Sequence, residues 1–165
     1  MKSNSDHEPA WRHGHAHEPN PAPPAQASAL IIQKPNGLEV LVGLADLHAL
    51  PTVQVNNCWI ISTGHGKSGP FTFAGTRLAD VLTTWLDADT PWQSVDVISA
   101  DGFGTRLVAA EVCDPATLRP ILLAYRLDGA PLTREQGLVR LIVPSETDDA
   151  LRQVKWVGRI EVWSD

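Results

Sequence analysis

From residue 29 onward, short apolar runs alternate with turn signals, and this punctuation limits the fold more than any other feature of the chain. Pro35-Asn36-Gly37 separates runs at 29–34 and 38–42. Asp101-Gly102 separates 95–99 from 104–108, and Asp128-Gly129-Ala130-Pro131 closes the run 121–127. Asn-Gly and Asp-Gly supply the positive-φ residues of tight turns, so these runs are predicted to be strands. The runs 52–62, 139–143 (halted by Pro144) and 154–162 read the same way. Only two segments carry a helical period. The first, 44–50, is stopped by Pro51. The second, 76–86, places Leu78, Val81, Leu82, Trp85 and Leu86 at helical spacing, with Thr76 in the N-cap position. Residues 63–69 are predicted to be a glycine-rich loop. The sum is about eight or nine strands and no repeat of fixed period. It predicts an α+β, mainly β fold: a sandwich or barrel of mixed strands with two or three short helices outside.

Length fits one such domain. The chain has 165 residues, 43% of them hydrophobic, enough for one sizeable core, and 29–165 is expected to hold it. Residues 1–28 differ. They carry Pro9, Pro19, Pro21, Pro23, Pro24 and four of the six histidines, with almost no aliphatic side chains. A segment that cannot bury apolar surface cannot offset its ordering entropy, so it reads as a disordered tail. Within it His13, His15 and His17 alternate with small residues and form a weak candidate site for zinc, copper or nickel. No fourth ligand is evident, and the solvated-tail reading is preferred.

Charge removes other classes. Lys plus Arg is 13 against 19 Asp plus Glu, a net charge of −6, and no dense basic patch appears, so nucleic acid is not the expected partner. No apolar run is long enough to cross a membrane. The first residues lack the apolar core of a secretory signal, which predicts a cytoplasmic protein, or a periplasmic one if the chain is a mature or trimmed form. Two cysteines, Cys58 and Cys113, allow one bridge at most, and two free thiols is the simpler reading.

Chemistry concentrates around Cys58. Asn56 and Asn57 precede it, unusual in a strand that only fills a core, and a thiolate suits a soft transition metal. Downstream, Gly64, Gly66 and Gly69 allow close backbone approach, while His65 and Lys67 offer donors and charge to an anion. A P-loop is rejected, because Ile61 stands where its first glycine should be and no helix follows Lys67. A triad drawn from Ser62, Ser68, His65 and Asp101 lacks the strand-turn-helix elbow. Asp101-Gly102 reads first as a turn. Arg140 and Arg159 are expected to point outward from strands into solvated pairs, Glu161 among their partners.

Six segments, taken in order, carry a resemblance: CWIIS (58–62), FAGTRLADVL (73–82), VISADGFG (97–104), LLAYRLDGAPL (122–132), EQGLVRLIVP (135–144) and VKWVGRIEV (154–162). Over roughly 38–163 the chain resembles the molybdopterin-binding domain of the sulfite oxidase and methionine-sulfoxide reductase catalytic subunit family. The resemblance implies a molybdopterin cofactor whose molybdenum is ligated by Cys58, and oxygen-atom transfer as the reaction. It implies that Asn57, Ser62, Thr63, His65, Lys67, Asp101, Arg140 and Lys155 contact the cofactor. A separate electron-transfer protein is the implied partner.

The chain also departs from that pattern. Trp59, Ile60 and Ile61 follow the cysteine, where the relatives carry asparagine and paired arginines. Glu146, Asp148 and Asp149 stand where the relatives are glycine-rich and basic, and carboxylates repel a phosphate. The relatives also carry more chain. These departures keep a rival open: a cofactor-free relative acting as a small-ligand or protein-binding module.

Overall fold

The computed structural model describes residues 29–62, 66–144 and 154–164, without the side chains at 61, 62, 66 and 67. The proposed tail at 1–28, with His13, His15 and His17, lies outside the described residues.

The hairpins form where the turn residues place them. β1 (Leu30–Gln33) and β2 (Glu39–Val42) pair antiparallel across Pro35-Asn36-Gly37, where Gly37 takes φ 89° and the Asn36 side chain accepts the Leu38 amide. β5 (Ser94–Ser99) and β6 (Gly104–Val108) pair across Asp101-Gly102, with Gly102 at φ 95°. β10 (Val157–Trp163) enters between the two hairpins, parallel to β1 and antiparallel to β5. The first sheet therefore runs β2-β1-β10-β5-β6.

The second sheet holds β3 (Val53–Ser62), β4 (Gly66–Arg77), β7 (Leu122–Leu127), β8 (Ala130–Pro131) and β9 (Arg140–Ile142). β4 pairs with β3 and β7, and the far edge of β7 is shared by β8 and β9. Leu30, Ile32, Val95, Val97, Leu107 and Ile160 of the first sheet meet Leu123, Tyr125 and Leu141 of the second in one buried core. That layer is the sandwich. α1 (Leu44–His48), α2 (Leu78–Trp85) and α3 (Ala109–Val112) lie outside it. α2 buries Leu78, Val81 and Leu82, and each such side chain contributes about 2 kcal/mol by leaving water.

The mixed sandwich with short outer helices matches the expectation; the boundaries differ. Ten strands are present among the described residues. β4 begins at Gly66, inside the predicted loop, because residues 66–68 pair with 60–62 of β3. Thr76 is no helix cap: it is fully buried in β4, its hydroxyl without a partner, and the extended Arg77 precedes the helix instead. The last strand starts late because residues 154–157 first run along β9: the Leu141 amide donates to Val154 O and the Val157 amide to Val139 O.

Candidate functional site

The site begins with a break in register. Val55 of β3 stands opposite Phe73 of β4, and Cys58 stands opposite Phe71. Three steps along β3 thus match two along β4, so β3 carries one extra residue just before the cysteine. Strand side chains alternate between faces, and an unbroken strand would put Val55 and Cys58 on opposite faces. The bulge turns Cys58 onto the face of Val55. Asn57 makes the bulge, at φ 55°, a left-handed conformation that asparagine tolerates better than branched residues do. A second irregularity, beyond Cys58, returns the extra residue on β4 around Gly69. A Cβ on Gly69 would stand 2.8 Å from Cys58 O, so only glycine lets β4 pass there.

Cys58 is 2% exposed, in a cluster with Val55, Phe73, Leu122, Ala124, Leu132 and Ile142. This cluster covers the face of the second sheet that looks away from the main core. Sγ lies 3.6 Å from Val55 O. Burial pushes the Cys58 thiol up; the Arg119 guanidinium beside it and a Phe73 backbone hydrogen bond oppose that shift. Arg119 also donates to Asn56 O at 2.7 Å and to Asn57 O at 3.1 Å. Sequence reasoning missed Arg119. It sits in a different loop, and only its place before Pro120 and the β7 run hinted at a fixed position.

Arg140 overturns an expectation. It does not point outward: it is 6% exposed, with its guanidinium 5.5 Å from the centre of the Phe73 ring. β9 pairs Arg140 with Ala124, whose small side chain leaves room for the long one on the buried face. Nη1 makes a 3.4 Å contact to Gln136 O, and Nε has no partner. Burial lowers the Arg140 pKa to about 10. Lys155 is lowered as well, by burial first and then by Arg140. Gly137, at φ 113°, makes this pairing possible: a Cβ there would come within 2.9 Å of Arg140 Cγ and 3.1 Å of Lys155 Cβ. Among the described residues neither cation has a carboxylate partner. Arg159 behaves as expected, on Glu39 at 2.7 Å and 3.8 Å from Glu161, with Gln33 also bound.

The remaining predicted residues divide. Asn57 forms the bulge. Ser62 and Lys67 lie on the paired ends of β3 and β4. Thr63 and His65, like the acidic stretch Glu146, Asp148 and Asp149, lie outside the described residues. Asp101 belongs to the other sheet, where its carboxylate accepts the Phe103 amide at 3.0 Å, as a turn residue does. Its hairpin is nonetheless tied to the Lys155 segment, through the Ala100 amide on Trp156 O at 2.8 Å. No three His, Cys, Asp or Glu side chains among the described residues converge to hold a metal ion. A half-open cleft of about 400 Å³ lies over His48, Thr52, Gln54, Tyr125 and Arg126, and none of the predicted contact residues lines it.

A soft sulfur and Arg140 share one face of the sheet, with Phe73 touching both, and Lys155 stands beside Arg140; among the described residues neither cation has a carboxylate partner. This donor set suits a cofactor that carries a thiophilic metal and an anionic phosphate. The orphaned Arg140 Nε decides the fit, because a buried guanidinium donor without an acceptor is costly unless something binds it. Fold and donors together fit a cofactor-holding domain.

Residues 39–165 match the model of the oxidoreductase molybdopterin binding domain, and the chain belongs to that family. Molybdopterin is the cofactor that membership implies. The mitochondrial sulfite oxidase of Rattus norvegicus is 28% identical over 160 residues, covering 82% of this chain and 29% of the rat protein. The Homo sapiens enzyme is 27% identical over 157 residues, covering 80% and 28%. The chain thus spans less than a third of these curated relatives. The crystal structure of the sulfane dehydrogenase SoxCD from Paracoccus pantotrophus shares the fold, with a TM-score of 0.66 at 18% identity over 83% of this chain and 38% of that one.

Proposed function

We propose that this domain binds molybdopterin with Cys58 as thiolate ligand of the molybdenum and with Arg140 and Lys155 on the cofactor's phosphate. The observation that carries the reading is Arg140, buried with an idle Nε beside a second cation, on the sheet face that also presents Cys58. Bound, the cofactor supplies oxygen-atom transfer between water and a small substrate, coupled to a two-electron change. Cys58 would hold the metal as a thiolate, its sulfur aimed by the bulge at Asn57. Phe73 and Ile142 exclude water from that sulfur. Arg140 and Lys155 would hold the cofactor's negative charge, their own positive charge having no carboxylate partner among the described residues. Ser62, Thr63, His65 and Lys67 would line the mouth. Electrons would pass to a separate electron-transfer protein.

The test is expression in a host that makes the cofactor, followed by molybdenum and pterin measurement per chain. Near-stoichiometric metal that vanishes in Cys58→Ser supports the reading. A folded, metal-free wild-type chain supports the cofactor-free binding module, a reading favoured by the near-complete burial of Cys58.

A further inference from the structure

The geometry points to Arg119 as the positioning residue of this site: its guanidinium locks the β3 bulge and so keeps Cys58 on the buried face. Without an extra residue before it, Cys58 would fall on the opposite face from Val55 and Phe73. The face is therefore set by where the bulge sits, and a bulge can slip along a strand when nothing holds it. Among the described residues β3 is an edge strand of its sheet, with no strand on its outer side to fix the bulge.

Arg119 supplies that missing neighbour. Its two terminal nitrogens donate to the carbonyls of Asn56 and Asn57, the two residues before Cys58. A planar guanidinium holds both in one geometry, as a lysine ammonium does not. Two further contacts fix the same spot. Asn56 Oδ1 accepts from Thr72 Oγ1 at 3.2 Å and from Gln54 Nε2 at 3.1 Å, which ties the bulge to β4 and to the preceding residues. The loop that carries Arg119 is held from both sides. Thr117 Oγ1 accepts the Arg119 amide, and the following Ile121 carbonyl accepts the first amide of α2. The aim of Cys58 is thus set from a loop more than sixty residues away in the chain.

The role concerns the site proposed above, yet it is tested without the cofactor. In a Cys113→Ser background Cys58 is the sole thiol. Its rate of reaction with a small neutral maleimide reports whether the sulfur stays buried. Arg119→Ala is expected to raise that rate about tenfold, the effect of losing charge-assisted hydrogen bonds that hold a local structure closed. Arg119→Lys, which keeps one donor group near the carbonyls, is expected to fall between wild type and Arg119→Ala. Amide exchange at Trp59 should rise in parallel, while exchange in β5 stays unchanged. A residue that merely adds stability would speed exchange in both sheets alike. Equal maleimide rates in all three proteins overturn the proposal, as does a rise in exchange that spreads evenly over both sheets. Should Arg119→Ala fail to fold, Arg119→Lys decides: a wild-type rate overturns the proposal, and a faster local rate supports it. A wild-type chain that takes up no molybdenum would sink the reading of Cys58 and leave the positioning role standing.

Discussion

The two sheets treat a strand arginine in opposite ways. In the first, Arg106 grips Asp96 with Nε at 2.8 Å and Nη2 at 3.0 Å, and Trp163 Nε1 adds a third donor at 2.9 Å. The Asp96 side chain is 0% exposed, and every charge there is answered. In the second sheet Arg140 is buried against Phe73, its Nε idle, and its charge lowers the basicity of a second cation, Lys155. A protein under selection for stability alone has no use for the second arrangement. The difference marks the second sheet as the one that keeps charge in reserve for a ligand.

The largest effect should come from breaking the satisfied pair. Arg106→Ala leaves the Asp96 carboxylate buried with two donors fewer, at a cost of ~2–3 kcal/mol, below the fully buried case because the guanidinium is 40% exposed. Urea denaturation measures it. The opposite sign is expected in the other sheet. Arg140→Met replaces a buried, unpaired charge by an apolar side chain of similar length, and should stabilise the cofactor-free domain by about 1–2 kcal/mol. The same variant should load less cofactor. A destabilised Arg140→Met would show that the guanidinium is paired in solution and that the comparison fails.

Much of this architecture was legible in the sequence. Asn-Gly and Asp-Gly turns marked the hairpins because their backbone demands are local. Six segments in order marked the family. Arg140 was misread because its neighbours in sequence, Val139 and Leu141, belong to the main core, and alternation then assigns it to solvent. That inference assumes the other face is wet, whereas here it carries a second cluster built from β3, β4 and β7. Asn57 was noticed for its polarity, but its work is conformational. Arg119 left no local signal beyond its place before Pro120 and the β7 run, since a contact across 62 and 63 positions has no periodicity to betray it.

The smallest effect tests the electrostatic half of the comparison. Arg140 has a folded pKa of about 10, below its ordinary value. Below pH 10 both folded and unfolded chains carry the proton, so the cost of burial is present in full. Above it the folded chain releases a proton that the unfolded chain still binds, and stability rises with pH in that window. Other titrating groups are common to wild type and Arg140→Met and largely cancel between them. Lys155 works in the same direction, because its own lowering depends in part on Arg140. The advantage of Arg140→Met should therefore shrink by under ~1 kcal/mol as pH climbs from about 8 to about 10.5. Parallel melting curves for the two proteins across that range would mean that Arg140 keeps its charge with an acceptor in reach, and the reserve of positive charge in the second sheet would be lost as an argument for a ligand.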